Sequence, residues 1–337
     1  MIWLTYRQFR TQAIVGAVTL VAAAIALVIN GRMIASAWTD SGAADCPATG
    51  DCAALTNFAN ATENGRTITL FIVGTALLYL VPPLIGVFWG APLVARELEA
   101  GTHRLAWNQS VTRDRWLAVK LGILCTASMA FAGILSLLVW WSSYRIDENV
   151  LNRLTPMLFG ARGVVPIGYA AFAFVFGVAA GILIRRTVPA MAVTLAVYAA
   201  AVGAMILWVR AHLLPAKHLT TNLDLSQGIE QFGFGPDGGE MRIVAEAHID
   251  GAWILQNQTV TAAGQVFTGP ADPTYCGRDT PPQACEDWVN TLGLKQRLVY
   301  QPAGRFWDLQ WAEMGVFLVL AALLAAFGFW WLRRRSA

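Results

Sequence analysis

The residues best placed to do work lie in the thirty positions from Ala91 to Lys120, APLVARELEAGTHRLAWNQSVTRDRWLAVK. Arg96, Arg104, Arg113, Arg115 and Lys120 supply five cations there, Glu97, Glu99 and Asp114 three anions, and Trp107 and Trp116 stand among them. A short charged hinge between two apolar stretches suits the receipt of force from a partner better than bond chemistry. Catalytic constellations are missing elsewhere: no GxxxxGK(S/T) phosphate loop, HExxH pair, EF-hand loop or GxSxG elbow occurs in the chain. His103, His212, His218 and His248 fall in separate loops, and His212 with His218 lacks the further ligands zinc requires. If ATP is used, another chain binds it. No metal or cofactor is expected in this one.

The elements that must position this hinge are membrane spans. Hydrophobic residues make up 56% of the 337 and charged residues 13%, with mean hydropathy +0.50, against roughly 25% charged residues in soluble domains. Crossing the hydrocarbon takes about 20 mainly apolar helical residues, and six stretches qualify: Gln12 to Ile34, Ile68 to Ala91, Trp116 to Trp141, Val164 to Ile184, Val188 to Val209 and Trp311 to Leu332. The first is too long an apolar run for a cleaved signal peptide and is expected to stay as an anchor. With a cytoplasmic N-terminus, the inner segments hold twelve of the 24 Lys and Arg but only three of the 21 acids, leaving the inner side at +9 and the outer at −6. That bias places both termini in the cytoplasm of a cell-membrane protein. The basic total reports topology, not nucleic acid.

Cysteine placement agrees with that orientation. Cys46 and Cys52 fall in the first outer loop and Cys276 and Cys285 in the last, with Cys125 inside the third span. Pairs at short spacing on an oxidising side suggest disulfides, locally Cys46 with Cys52 and Cys276 with Cys285, though four cysteines allow three connectivities.

At the N-terminus, MIWLTYRQFR sets Ile2, Trp3, Tyr6 and Phe9 in one stripe, which predicts a separate interfacial helix on the inner leaflet, the alternative being the wet end of the first span. In the second span Pro82 and Pro83 remove two backbone donors and predict a kink or local unwinding. The fourth span carries Gly177-Val178-Ala179-Ala180-Gly181, small residues four apart that let helices approach closely. Ser142 to Gly163 reads as an outer connection. Ionisable residues at mid-depth are missing from the spans, with Glu313 assigned to the interface, and this disfavours an ion-driven mechanism. Arg210 to Asp308 reads as a small mixed domain, with strands over Met241 to Ala247, Ala252 to Thr259 and Leu298 to Gln301 and a helix over Pro282 to Leu292.

The expected architecture is an all-α polytopic membrane protein of six transmembrane helices with a small mixed α/β extracytoplasmic domain between the fifth and sixth. Residues 1–209 form the membrane domain with the N-terminal interfacial helix and a cytoplasmic coupling loop at 92–116. Residues 210–308 form the outer domain, and 309–337 the sixth span and basic tail.

Arg96-Glu97-Leu98-Glu99-Ala100-Gly101-Thr102, then Arg104-Leu105-Ala106-Trp107, Ser110-Val111-Thr112-Arg113 and Lys120 resemble the E-x-E-x-G-T…P/S-V-(S/T)-R…K pattern of ABC type-2 transporter permeases. Gln8-Phe9-Arg10-Thr11, Arg305-Phe306-Trp307 and Arg333-Arg334-Arg335 are similar to the actinobacterial branch of that family. Where the family often has a proline or apolar residue after the short helix, this chain has Asn108-Gln109.

The resemblance implies a type V exporter fold. Two permease subunits, here an expected homodimer in the lipid bilayer, sit above two ABC ATPase subunits that bind ATP and Mg. It implies that Arg96, Glu97, Glu99, Gly101, Thr102, His103, Arg104, Trp107, Ser110 and Arg113 couple to the ATPase. Gly101 would end the second helix, Thr102 would cap a short helix to about Asn108, and Ser110 or Thr112 would cap the third span, with Asp114 in its first turn. Glu97, Glu99, Arg113 and Arg115 would pair with the partner or with one another. It also puts the second and fifth spans at the dimer centre, making Thr75, Tyr79, Pro82, Pro83, Thr194 and Tyr198 candidate cavity residues for a hydrophobic or amphiphilic drug, lipid or modified peptide. Two other classes stay open: a non-transporting sensor or immunity subunit coupled to an ATPase, and a membrane enzyme with its site in Arg210 to Asp308.

Overall fold

A computed structural model of the chain describes residues 2–46, 52–63, 65–101, 112–226, 228–234, 240–270, 272, 274–276 and 280–335. It divides into two compact units, Met1–Leu213 with Trp307–Ala337, and Leu214–Phe306.

The first unit holds six helices long and apolar enough to cross a membrane: Phe9–Asp40, Arg66–Glu99, Arg113–Asn149, Val165–Ile184, Thr187–His212 and Ala303–Arg334, called spans 1 to 6. Most exceed the apolar runs that mark them, because helix propensity continues into the flanking polar turns. No glycine or proline interrupts the chain between Ile2 and Gln12, and the helix of span 1 runs unbroken from Ile2 to Asp40. The N-terminal segment is therefore continuous with the helix of span 1. Arg210 to His212 likewise continue span 5 by a turn beyond the point where the apolar run stops.

Span 4 is the hub. Some 78% of its most apolar stretch is buried within the chain, against 6% for span 1, whose Ile14, Val15, Val18, Val21 and Ile25 face outward. Glycines let span 2 reach it. A Cβ on Gly86 would lie 2.5 Å from the Ala173 carbonyl oxygen, one on Gly90 2.5 Å from that of Phe174, and one on Gly181 2.7 Å from that of Ala91. The Gly177 position is closed by the Gly86 carbonyl itself. Small residues four apart on both helices thus bring two backbones into contact, the packing on which apolar helices in lipid depend.

Span 2 does not unwind at its prolines. Pro82 and Pro83 stay within the helix, which then widens into a π turn over Gly86–Gly90 before resuming at Ala91. Pro83 has no N–H for the Tyr79 carbonyl one turn earlier, and the Tyr198 hydroxyl of span 5 donates to that carbonyl at 3.4 Å. Span 5 has its own π turn, Met205–Val209. This added width turns Arg210 fully inward while Leu207 and Trp208 are 84% and 70% exposed.

Among the described residues the second unit contains five strands: β1 (Lys217–Asn222), β2 (Ile229–Phe234), β3 (Met241–Ala245), β4 (Trp253–Val260) and β5 (Lys295–Gln301). β1, β5 and β4 form one antiparallel sheet in that order, and β2 and β3 a separate hairpin. Side chains join the two: Asn257 and Gln296 amides each donate to the Ala245 carbonyl at 2.9 Å, and the Thr259 hydroxyl donates to that of Ile243. Met241, Ile243, Phe267, Val289 and Leu294 form the core, on which the helix Pro282–Thr291 packs. The apolar alternation of β3, buried at Met241, Ile243 and Ala245, is visible in sequence. β1, KHLTTN and exposed at every position, carries no such signal.

Cys46–Cys52 and Cys276–Cys285 are disulfides, and Cys125 is free. Thiol reagents are expected to label the four bonded cysteines only after reduction, as mobility shifts on non-reducing gels would report; labelling in untreated membranes would contradict both bonds.

Candidate functional site

Two regions of the membrane unit concentrate polar chemistry, one at each set of span ends.

At the first, span 2 ends at Glu99, followed by Ala100 and then Gly101 at φ +72°, the left-handed conformation a helix stop favours in glycine. The expected coupling residues Thr102, His103, Arg104, Trp107 and Ser110 lie outside the described residues. What surrounds them is well defined. Thr112 caps span 3, its hydroxyl oxygen accepting from the Arg115 N–H at 3.3 Å, with Arg113 and Asp114 in the first turn. Negative charge there meets the positive end of the helix dipole. Arg96 is exposed.

Within the chain, Glu97 and Glu99 meet groups of spans 3 and 5. The Lys120 ammonium of span 3, 1% exposed, donates to Glu97 Oε1 at 2.5 Å and stands 4.6 Å over the Trp116 ring. Glu99 Oε2 accepts from the Thr187 N–H at 3.1 Å and hydroxyl at 2.8 Å, capping span 5. Asp114 of span 3 pairs with Arg333 of span 6 at 2.9 Å. Three polar ties therefore join spans 2, 3, 5 and 6 at the ends that flank residues 102–111.

At the opposite ends lies a buried network that sequence reasoning missed. Arg210 and Glu313 are both fully buried: the guanidinium donates to Glu313 Oε2 at 2.6 Å and Oε1 at 2.9 Å, to the Pro156 carbonyl at 2.6 Å and to the Tyr169 hydroxyl oxygen at 3.5 Å. Tyr169 in turn donates to Glu313 Oε1 at 2.5 Å. Beside it Arg162 donates to Asp147 at 2.6 Å and 3.1 Å and to Thr75 Oγ1 at 3.2 Å. Gln310 accepts from the Val164 and Val165 N–H groups at 3.0 and 3.2 Å, capping span 4, and donates to the Phe159 carbonyl at 2.9 Å.

These side chains hold residues 156–164 against the helices. That segment is therefore folded into the bundle in part, with Phe159 to Arg162 buried, and span 3 continues to Asn149 instead of ending at Trp141. At its centre is Gly160, where a Cβ would strike the Tyr79 hydroxyl and lie 3.1 Å from both Arg210 Nη2 and the Tyr169 hydroxyl.

Ionisable groups are nevertheless packed within the chain toward the ends of the spans, Asp147, Arg210, Glu313, Glu97 and Lys120, with Arg162 buried between spans 3 and 4. Glu313, expected near one end of span 6, is fully buried against Arg210 and Tyr169. One signal was available: Gln310, Glu313, Phe317 and Ala321 share one helical face, and all are buried.

The expected cavity residues make the following contacts within the chain. Thr194 and Tyr198 are buried, with Thr194 donating to the Ala190 carbonyl at 2.7 Å. Tyr79 donates to the Met157 carbonyl at 2.8 Å, Thr75 accepts from Arg162, and Pro82 and Pro83 are buried. Among the described residues no group of three or more His, Cys, Asp or Glu is placed to hold a metal.

The sequence of residues 17–210, more than half the chain and including spans 2 to 4, matches the family model described as ABC-2 membrane transporter related. The chain belongs to this family. Comparison with curated proteins and with solved structures gives no match. With six apolar helices, membership makes this a multi-pass membrane protein of the ABC-transporter membrane-subunit type. Such subunits are typically not themselves the ATPase and work with an ABC ATPase as partner.

Proposed function

We propose that the chain is the permease subunit of an ATP-driven exporter, moving a hydrophobic or amphiphilic substrate outward by alternating access. Two copies form the membrane unit, both termini face the cytoplasm, and two ATPase subunits bind ATP and Mg beneath the loop at residues 102–111. The observation that carries this reading is the set of ties around that loop. Glu97–Lys120, Glu99–Thr187 and Asp114–Arg333 connect its two stems to spans 5 and 6. A push on the loop is then delivered to four helices together, as a rigid-body switch requires. The buried network at the opposite ends is the closed outer barrier in this reading.

Co-reconstitution with the partner ATPase tests it. ATP-dependent accumulation of a hydrophobic dye in inside-out vesicles is expected, and Glu99→Gln is expected to reduce ATP turnover stimulated by the permease while membrane insertion is unchanged. A second reading, a sensor subunit without transport, has one observation in its favour. Residues 214–306 contain an open cleft of about 790 Å³ lined by Glu230, Glu246, Gln256 and Asn257. Stimulated ATP turnover without accumulation would decide for the sensor.

A further inference from the structure

Span 1 and span 2 flank a half-open pocket of about 240 Å³ lined by Phe9, Gln12, Trp89, Pro92, Leu93, Arg96 and Glu97. Its wall is aromatic. Phe9 meets Trp89 edge-on with ring centres 4.8 Å apart, and Phe131 backs Trp89 from span 3 at 5.9 Å. Trp89 belongs to the π turn Gly86–Gly90, and Gly16 makes room for it, since a Cβ there would lie 3.2 Å from the indole. A π turn is a local departure from the favoured helix and occurs often at functional sites. Here it contributes the indole to this wall.

The charges in the cavity are unequal in what they leave available. Glu97 is held by the Lys120 ammonium at 2.5 Å, so its charge is answered within the chain. Arg96 is exposed and makes no ion pair among the described residues. Gln12 adds a neutral donor. Among the described lining residues one cation thus stands beside an apolar aromatic floor, and the outward apolar strip of span 1, Ile14, Val15 and Val18, begins within a turn of Gln12.

We infer that this cavity binds the headgroup region of one anionic phospholipid per chain, with the phosphate at Arg96 and the acyl chains running along Trp89, Leu93 and the strip on span 1. A free phosphate has no use for the aromatic wall. A zwitterionic lipid gains less from the single cation. The inference does not depend on the export reading.

The test is native mass spectrometry of the delipidated full-length chain in detergent, titrated with phosphatidylglycerol, with phosphatidylcholine of the same acyl chains and with inorganic phosphate. The first phosphatidylglycerol is expected to bind about fivefold more tightly than the first phosphatidylcholine, the preference one arginine gives beside an anionic headgroup. Arg96→Gln is expected to abolish that preference. Arg115→Gln, an exposed arginine outside the cavity, is expected to keep it. Trp89→Phe is expected to weaken both lipids while keeping their ratio. Equal affinities in the wild type, a preference that survives Arg96→Gln, or an equal loss in Arg115→Gln would each overturn the site. Displacement of phosphatidylglycerol by equimolar phosphate would show a free-anion site and overturn it too.

Discussion

Replacing Arg210 with methionine is expected to destabilise the membrane unit by about 3–5 kcal/mol, because it strands the Glu313 carboxylate in a site with no solvent access. At about 1.4 kcal/mol per decade, that is a loss of roughly two to three and a half decades in the folding equilibrium constant. Glu313→Leu is expected to act alike by stranding the guanidinium.

The informative variant is the double replacement, Arg210→Met with Glu313→Leu. A buried pair replaced by apolar groups of similar volume is often neutral, since desolvation of two ions offsets much of their attraction. Recovery is expected to be incomplete here, for a reason visible in the geometry. The Pro156 carbonyl and the Tyr169 hydroxyl also lose partners, and each buried unsatisfied group costs about 1–3 kcal/mol. Adding Tyr169→Phe is expected to recover a further part. Thermal unfolding in detergent, followed by monodispersity on size exclusion, reads all four variants; a double variant no better than either single one would show that the pair is not what holds Pro156 in place.

The second large effect is expected at the contact of spans 2 and 4. Gly177→Ala puts a methyl group against the Gly86 carbonyl and 2.9 Å from the Ala91 nitrogen, both backbone atoms that no rotamer change can move. Helix propensity alone would make the alanine stabilising by about 1 kcal/mol. Overpacking of about 1–3 kcal/mol is expected to reverse that sign, and Gly177→Val to prevent assembly of the bundle. Gly122→Ala in span 3 is the control: a Cβ there has nothing within 4 Å, and no loss is expected. Equal behaviour of the alanine variants at positions 177 and 122 would remove the helix contact as a stabilising feature.

Much of this was legible beforehand because lipid makes simple demands. Six apolar runs give six helices, since a spanning backbone must satisfy its own hydrogen bonds. Gly177 and Gly181 announced a close approach, although not that Gly86 and Gly90 would face them. Thr112 could be read as a cap because the residue type, the following Asp114 and the return of hydropathy coincide.

The buried ions could not be read the same way. Arg210 sits just past an apolar run, where a cation ordinarily marks the water boundary, and only the π turn at Met205–Val209 turns it inward. Asp147 and Arg162 lie on either side of a loop, and pairing across fifteen residues depends on how that loop folds back. Glu97 and Lys120 carried the resemblance to a coupling motif, yet their first commitment is to each other. In β1 the side chains bury nothing, so no periodicity existed to be found.

The Arg210–Glu313 pair fastens the last turn of span 5 to the first turns of span 6, the two points between which residues 214–306 are threaded. Chain closure at that junction is therefore a property of the membrane unit, whatever is strung between its ends. The β unit is strung between two chain points that the membrane unit already holds together.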